Sequence, residues 1–518
     1  MTISKLMGAG TCTLALMLVM LGCAARPDNP ADVGDGNVGD PAQAAISVAY
    51  SNQFTIHGTG TLFGITSSGV VSRPLDLSAA PFASDSLSHG ELVRKVGVGE
   101  ADGTFTVPVV DGARSWELET NLFGTPFVAV GNARQPNLNQ HVLGRLDGTL
   151  PTIETDVSIN VTGLTPWADG DSTQIVAANN GAVVFSPEFQ FATPPAVGDT
   201  SISGQTIDWS AQFPPDPLVE AAKGDVAVVT QLVARTSGTE AYSGLDRFGT
   251  ATGFTQEDGV ASTMTVAMSA VPQKSFALHW QGSEFEALRS AVGAGAADVP
   301  GADGVFIDAL PDAAKFGFYT TSPDLMLYTP SDGTANLDAT VSYGNPYVTL
   351  GQPWDEYAII NYFFAVPVQL GTAAPHLEFV GYAANMSLDE LPGGVIRPLI
   401  SPVRDVRIAG KDLRSPQTGV GLSPTVQWDA PAIGQATQYF IALKRLTAAS
   451  TGTSSTTVAT FVTKDRTLQI PSTFLASGAT YILSMTAVDF GSVDRTIDLF
   501  GDGLPFESAS SITSTFTP

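Results

Sequence analysis

The chain has 518 residues, 43% of them apolar and only 14% charged. That length exceeds the roughly 250–300 residues one hydrophobic core organises, so two or more folding units are expected, with ample material for cores. Asp and Glu outnumber Lys and Arg by 50 to 24, a net charge of −26 that repels phosphate backbones and makes nucleic acid an unsuitable partner.

Residues 1–22 read as an export signal: Lys5 forms a short basic start, Thr13 to Leu21 is apolar, and Gly22 is a small residue before the break. The only cysteines, Cys12 and Cys23, lie in or beside this run, so nothing downstream can form a disulfide. Met20-Leu21-Gly22-Cys23 resembles the lipobox of bacterial lipoproteins, with Met20 and Leu21 departing from the commonest residues. The resemblance implies lipidation of Cys23, a membrane partner through the lipid anchor and, with Ala24 following, sorting to the outer membrane. Residues 23–45 then continue as a Pro-, Gly- and Asp-rich tether with little to bury. Asp32, Asp35, Asn37 and Asp40 within it lack the alternate ligand spacing of a calcium loop.

From residue 46 to 391 short β-type runs are broken by Gly, Asp, Asn and Pro. They include Ile46–Tyr50, Thr104–Val107, Val157–Val161, Gln174–Ala177, Val226–Val229, Thr263–Val266 and Tyr357–Ile360, several alternating with period two. The fold class expected is all-β and multi-domain: a large antiparallel region, two or three tandem sandwiches or alternatively a β-propeller, with sandwiches preferred. Phe285, Leu288 and Val292 fall at i, i+3 and i+7, which predicts a short helical connector, and Pro217 to Ala222 predicts a turn or two of another.

The segment 392–402, with paired glycines and several prolines, reads as a hinge. Residues 403–518 carry Trp428 in an early strand, Tyr439–Leu443, Thr467–Ile470 and then "LASGATYILSMTAV" from Leu475 to Val488. This resembles a fibronectin type III domain. The resemblance implies that Trp428 packs against the opposite sheet and that Tyr481 forms a tyrosine corner, with Tyr481, Leu483, Met485 and Ala487 alternating on one face. The Ser/Thr-rich connection from Thr447 to Thr457 is longer than that family usually has.

Chemistry is sparse. The histidines His57, His89, His141, His279 and His376 are isolated, no GxSxG elbow or phosphate loop occurs, and no cysteine beyond Cys23 could serve as a thiol nucleophile. The densest aromatic stretch, Tyr343 to Phe364, places Tyr347, Trp354 and Tyr357 beside Asp355 and Glu356, a combination that suits sugar rings or a protein interface. The simpler reading of that stretch is a core strand and the turn leading into it. No cofactor is implied; Asp494, Asp498 and Asp502 lie four apart and could hold calcium with backbone carbonyls, yet their spacing reads as a solvated sandwich end. The expected function is therefore non-enzymatic: a lipid-anchored envelope protein displaying β-domains to a protein or polysaccharide ligand. The alternatives are a polysaccharide-active hydrolase using acids near Trp354, and a structural spacer in an envelope complex.

Overall fold

The computed structural model describes residues 55–518 apart from 67–68, 89–90, 178, 186–194, 212–215, 312–321, 350–353 and 502. The export signal, Cys23, the tether and the run Ile46–Tyr50 lie outside the described residues. The rest is all-β, and period-two runs become strands where alternate residues are buried. In Asp156–Thr162, Val157, Ile159 and Val161 are at most 1% exposed while Ser158 and Asn160 are half-buried. Helix is limited to short connectors: Gly282–Glu286 and Arg289–Val292 bury Phe285, Leu288 and Val292, and the 217–222 stretch leads into a single 3-10 turn at Ala221–Lys223. No helix among the described residues is long and apolar enough to cross a membrane.

The strands form tandem sandwiches, not propeller blades. Each sandwich is closed by its first part returning in parallel against its last. Thr61–Thr66 pairs in parallel with Gln140–Leu143, Asp156–Thr162 with Ser262–Ala267, and Gln273–Gln281 with Val395–Ile396. In the last sandwich Gln417 makes a parallel bridge to Phe516. A parallel pair needs a long crossover, and here the intervening sandwich is that crossover. The chain thus falls into four bodies, at about 55–147, 156–270, 273–400 and 403–518.

Edge strands, which would otherwise offer unpaired backbone groups, join these bodies into one 20-stranded sheet. Residues 242–244 pair with 326–328, 382–385 with 506–509, and 127–129 in parallel with 460–462. The last contact brings the fourth sandwich back onto the first. Glu378, 1% exposed at its side chain, reinforces the junction of third and fourth by pairing with Lys444 at 2.5 Å. Where the first sandwich meets the second, two backbones cross at Gly144 and Gly181. Both have positive φ, +97° and +81°, and a Cβ on either would lie 2.3 Å or less from backbone of the other segment. Only glycine fits there.

The 392–402 segment is pinned by packing: Ile396 is fully buried, Ile400 is 1% exposed, and Val395–Ile396 pairs with 279–280. The Ser/Thr-rich stretch 447–457 is mostly strand. It belongs to a long hairpin of Gln438–Ala449 and Gly452–Thr463.

In the fourth sandwich Trp428 is 3% exposed and packs edge-on against Tyr439 at 5.3 Å. The Tyr481 hydroxyl accepts the Ala476 backbone N–H at 2.9 Å, which is the tyrosine corner. Tyr481 is buried, so removing its oxygen strands that N–H. Tyr481→Phe is expected to cost about 1–3 kcal/mol. Urea unfolding of the variant checks this, and a loss below a few tenths of a kcal/mol would show that the hydroxyl is dispensable.

Candidate functional site

The aromatic stretch that was a candidate binding surface is packed inside the third sandwich, in line with its simpler reading as a core strand and the turn before it. Tyr347 is fully buried, Trp354 is 3% exposed and Tyr357 4%. Tyr347 and Trp354 stack on each other with centroids 5.2 Å apart. Their faces are therefore taken up by the core, and a sugar cannot lie on them. The strand Trp354–Val368 runs between Gly304–Pro311 and His376–Ser387, which covers it on both edges. Of the two acids, Asp355 is exposed and Glu356 is half-buried. Glu356 accepts the Tyr343 hydroxyl at 2.7 Å and the Asn345 amide at 3.2 Å, and it ion-pairs with Lys274. Burial and then the Glu356 charge push the Tyr343 phenol well above its ordinary range, so it stays a donor. Glu356 anchors the turn rather than facing a ligand.

The structure does bring two carboxyls together beside these rings. Asp308 stands in register opposite both Asp324 and Tyr357 on its two flanking strands. Asp308 accepts the Ser322 hydroxyl. Asp324 accepts the Gln174 amide at 2.5 Å and returns its backbone N–H to the Gln174 carbonyl at 3.1 Å. Burial pushes both acids up, and for Asp308 the neighbouring Asp324 charge adds to it. Two carboxyls so placed favour holding one proton between them over both being charged. They lie against packed aromatic rings, not exposed ones, and Asp308 is only 4% exposed.

An accessible concavity occurs elsewhere. A cavity of about 180 Å³ lies where the first, third and fourth sandwiches meet. Phe123 and Phe127 come from the first sandwich, Phe379 from the third, and Phe440, Phe490, Phe500 and Phe506 from the fourth. These rings contact one another at tilted or edge-on angles, Phe127 on Phe500 at 5.2 Å, Phe440 on Phe490 at 5.9 Å and Phe490 on Phe506 at 5.0 Å. The floor is the strand pair Gln438–Ala449 and Thr480–Asp489, in which Phe440 stands opposite Thr486 and Ala442 opposite Ser484. Sequence reading missed this site because it spans residues 122 to 508. One local signal was available: Phe440 sits on the face of its strand opposite Tyr439, Ile441 and Leu443, which already fill the core. A larger cleft of about 320 Å³ between the third and fourth sandwiches is lined by no aromatic side chain.

Of the C-terminal acids, Asp494 is engaged structurally. Asp494 accepts the Thr496 backbone N–H at 3.0 Å and hydroxyl at 2.6 Å and pairs with Lys464, which with burial opposing holds its carboxyl below the usual range. Asp502 lies outside the described residues. Among the described residues no group of three or more His, Cys, Asp or Glu is arranged to hold a metal ion.

No family model matches the chain, and no curated protein does. Solved structures that align with it include the chicken CNTN1 FN1-FN3 domains, at 8% identity over 88% of this chain and 99% of that one, with a TM-score of 0.13. A Streptococcal ancillary pilin aligns at 10% identity over 66% and 98% of the two chains, with a TM-score of 0.11. The native conformation of E. coli alpha-2-macroglobulin aligns at 10% identity over 89% and 28%, with a TM-score of 0.09. At such scores the β-sandwich assignment rests on the strand pairing and the tyrosine corner, and these alignments add nothing to it.

Proposed function

We propose that the chain is a lipid-anchored cell-envelope protein, moored at the outer membrane through Cys23, whose sandwiches hold a binding site rather than a catalytic one. The observation that supports binding is the phenylalanine cavity, where rings from three sandwiches converge on one accessible space. Pockets that are mostly apolar with a few polar groups, placed where domains meet, are the usual form of a ligand site. The partners are a membrane on one side and, on the other, a ligand presenting an apolar group, free or carried on a protein or polysaccharide. The hydrolase alternative needs facing acids beside exposed aromatics. Asp308 and Asp324 face each other, but the rings beside them are buried.

The address is tested by expressing the full chain and its Cys23→Ser variant in a Gram-negative host, followed by fractionation and mass spectrometry. The native protein is expected in the outer-membrane fraction with an acylated Cys23 at its mature N-terminus, and the variant unacylated. Recovery of mature protein with an unmodified Cys23 would falsify the anchoring.

A further inference from the structure

The cavity wall carries more information than its shape. Its charged residues are Lys444 and Arg495, and among the residues lining it there is no aspartate or glutamate. That is a local reversal in a chain with 50 acidic against 24 basic residues. Arg495, 4% exposed, lies over Phe490 at 5.0 Å and Phe440 at 5.8 Å and gives one N–H to the Leu499 carbonyl at 3.3 Å. The aromatic wall thus helps to hold the guanidinium in place. Lys444 reaches the wall with Glu378 behind it.

A second, independent feature sits on the floor. Thr486 is 6% exposed and lines the cavity. Ser484, half-buried two positions along the same face, also lines it. Both hydroxyls can donate to, or accept from, a group placed in that space. Beside the Arg495 guanidinium, the group that best suits them is an anionic oxygen.

Volume sets the size of the rest. A cavity of about 150 Å³ lined by apolar side chains holds benzene. At about 180 Å³ this one takes one ring and a short polar arm. Phenylalanine rings that contact one another at tilted and edge-on angles offer the same contacts to an inserted ring.

We infer that the junction cavity is a binding site for a monocyclic aromatic carboxylate, its ring among the phenylalanines and its carboxylate at Thr486, Ser484 and Arg495. This rests on the proposal that the cavity is the protein's binding site, and it adds the ligand class. The three sandwiches would then be coupled through the ligand, because Phe127, Phe379 and Phe490 each come from a different one.

The test uses the full chain in detergent, titrated calorimetrically with phenylacetate and with 2-phenylethanol, a neutral analogue of similar size. Ala442→Phe fills the cavity from its floor and reports any uptake by detergent alone; Ser484→Leu is the second filling variant should that one fail to fold. Phenylacetate is expected to bind saturably and at least about tenfold more tightly than the alcohol. The filling variant, with an unchanged or raised melting temperature, should bind neither. Thr486→Val should weaken phenylacetate about three- to tenfold, the loss of one hydrogen bond. If the two ligands bind equally well and the filling variant abolishes both, the carboxylate assignment is overturned while the cavity stands as a binding site. If native and filled proteins give the same heats, the assignment and the binding site fall together.

Discussion

The protein is expected to unfold at a lower urea concentration at pH 8 than at pH 5, the reverse of what carboxylates stabilised by ion pairs produce. The cause is a set of buried acids. Burial pushes Asp303 up to about 7 against the Phe363 N–H that opposes it, and pushes Glu507 up to about 7 with the Asp489 charge adding to it. Glu117 is raised well above its ordinary value by burial and then by Asp85 and Glu119, and the Asp308 and Asp324 pair is raised as well. In the unfolded chain these groups lose their protons near pH 4. Between about pH 4 and 7 the folded state therefore holds protons that the unfolded state has released, and stability falls as pH rises through that window. For a buried group such as Asp303 the effect is on the order of 2–4 kcal/mol, at about 1.4 kcal/mol per pH unit. Acids held low, such as Asp208 and Glu240, lose their contribution only below about pH 4, outside this window. His57, pushed down by burial, has the opposite sign but is one group.

Asp308→Asn isolates the pair. An amide keeps the acceptor for Ser322 and replaces the shared proton with permanent N–H donors toward Asp324. The variant is expected to gain about 1–3 kcal/mol at pH 8, to change little at pH 5, and so to show a shallower pH dependence. Urea midpoints at the two pH values decide it. Equal midpoints for the native protein, or an undiminished slope in the variant, would show that Asp308 and Asp324 do not share a proton.

Strand content was readable because burial in a sandwich imposes period two, as Val157, Ile159 and Val161 display. The tyrosine corner was readable for a similar reason: Tyr481 and its partner Ala476 are five residues apart, so the geometry is local. The strand Thr480–Asp489 shows where that legibility ends. Tyr481, Leu483, Met485 and Ala487 alternate inward as expected, yet Ile482, Thr486 and Val488 on the other face are buried too, because neighbouring sandwiches cover them. Nothing in a strand's own pattern reports what another body lays across its outer face. The same blindness explains Tyr347, Trp354 and Tyr357. Their spacing beside Asp355 and Glu356 is compatible with a surface as well as with the simpler core strand, and strands 304–311 and 376–387, which flank them, decide for the core. The acids that meet there, Asp308 and Asp324, are paired by register across a bulge that no sequence spacing encodes.

Register and burial also decide the largest single-residue effect expected outside the cores, at Arg145. It follows the glycine crossing between the first two sandwiches, and its guanidinium is surrounded by Asp225 and Glu220 from the second and by Asp147 two residues along. Nε and Nη2 bind the two oxygens of Asp225 at 3.1 and 3.0 Å, Nη2 also reaches Glu220 at 2.9 Å, and Nη1 reaches Asp147 at 2.7 Å. Burial alone would lower the guanidinium's pKa, but the bonds to these acids outweigh it and hold the charge firmly. The Asp225 side chain has no exposed surface, so its charge depends on that partner together with the Glu220 backbone N–H and the Asn179 amide. Arg145→Met keeps the volume and leaves a buried carboxylate without its cation. The expected cost is about 3–5 kcal/mol, far above the value of an exposed ion pair. Asp225→Asn on that background removes the stranded charge and should restore a substantial part of the loss, because the penalty comes from the unpaired ion more than from the missing bond. Urea unfolding of the single and double variants separates these contributions. A single variant that loses less than about 1 kcal/mol, or a double variant no more stable than the single, would mean that Asp225 relaxes to water and that the two sandwiches do not depend on this contact.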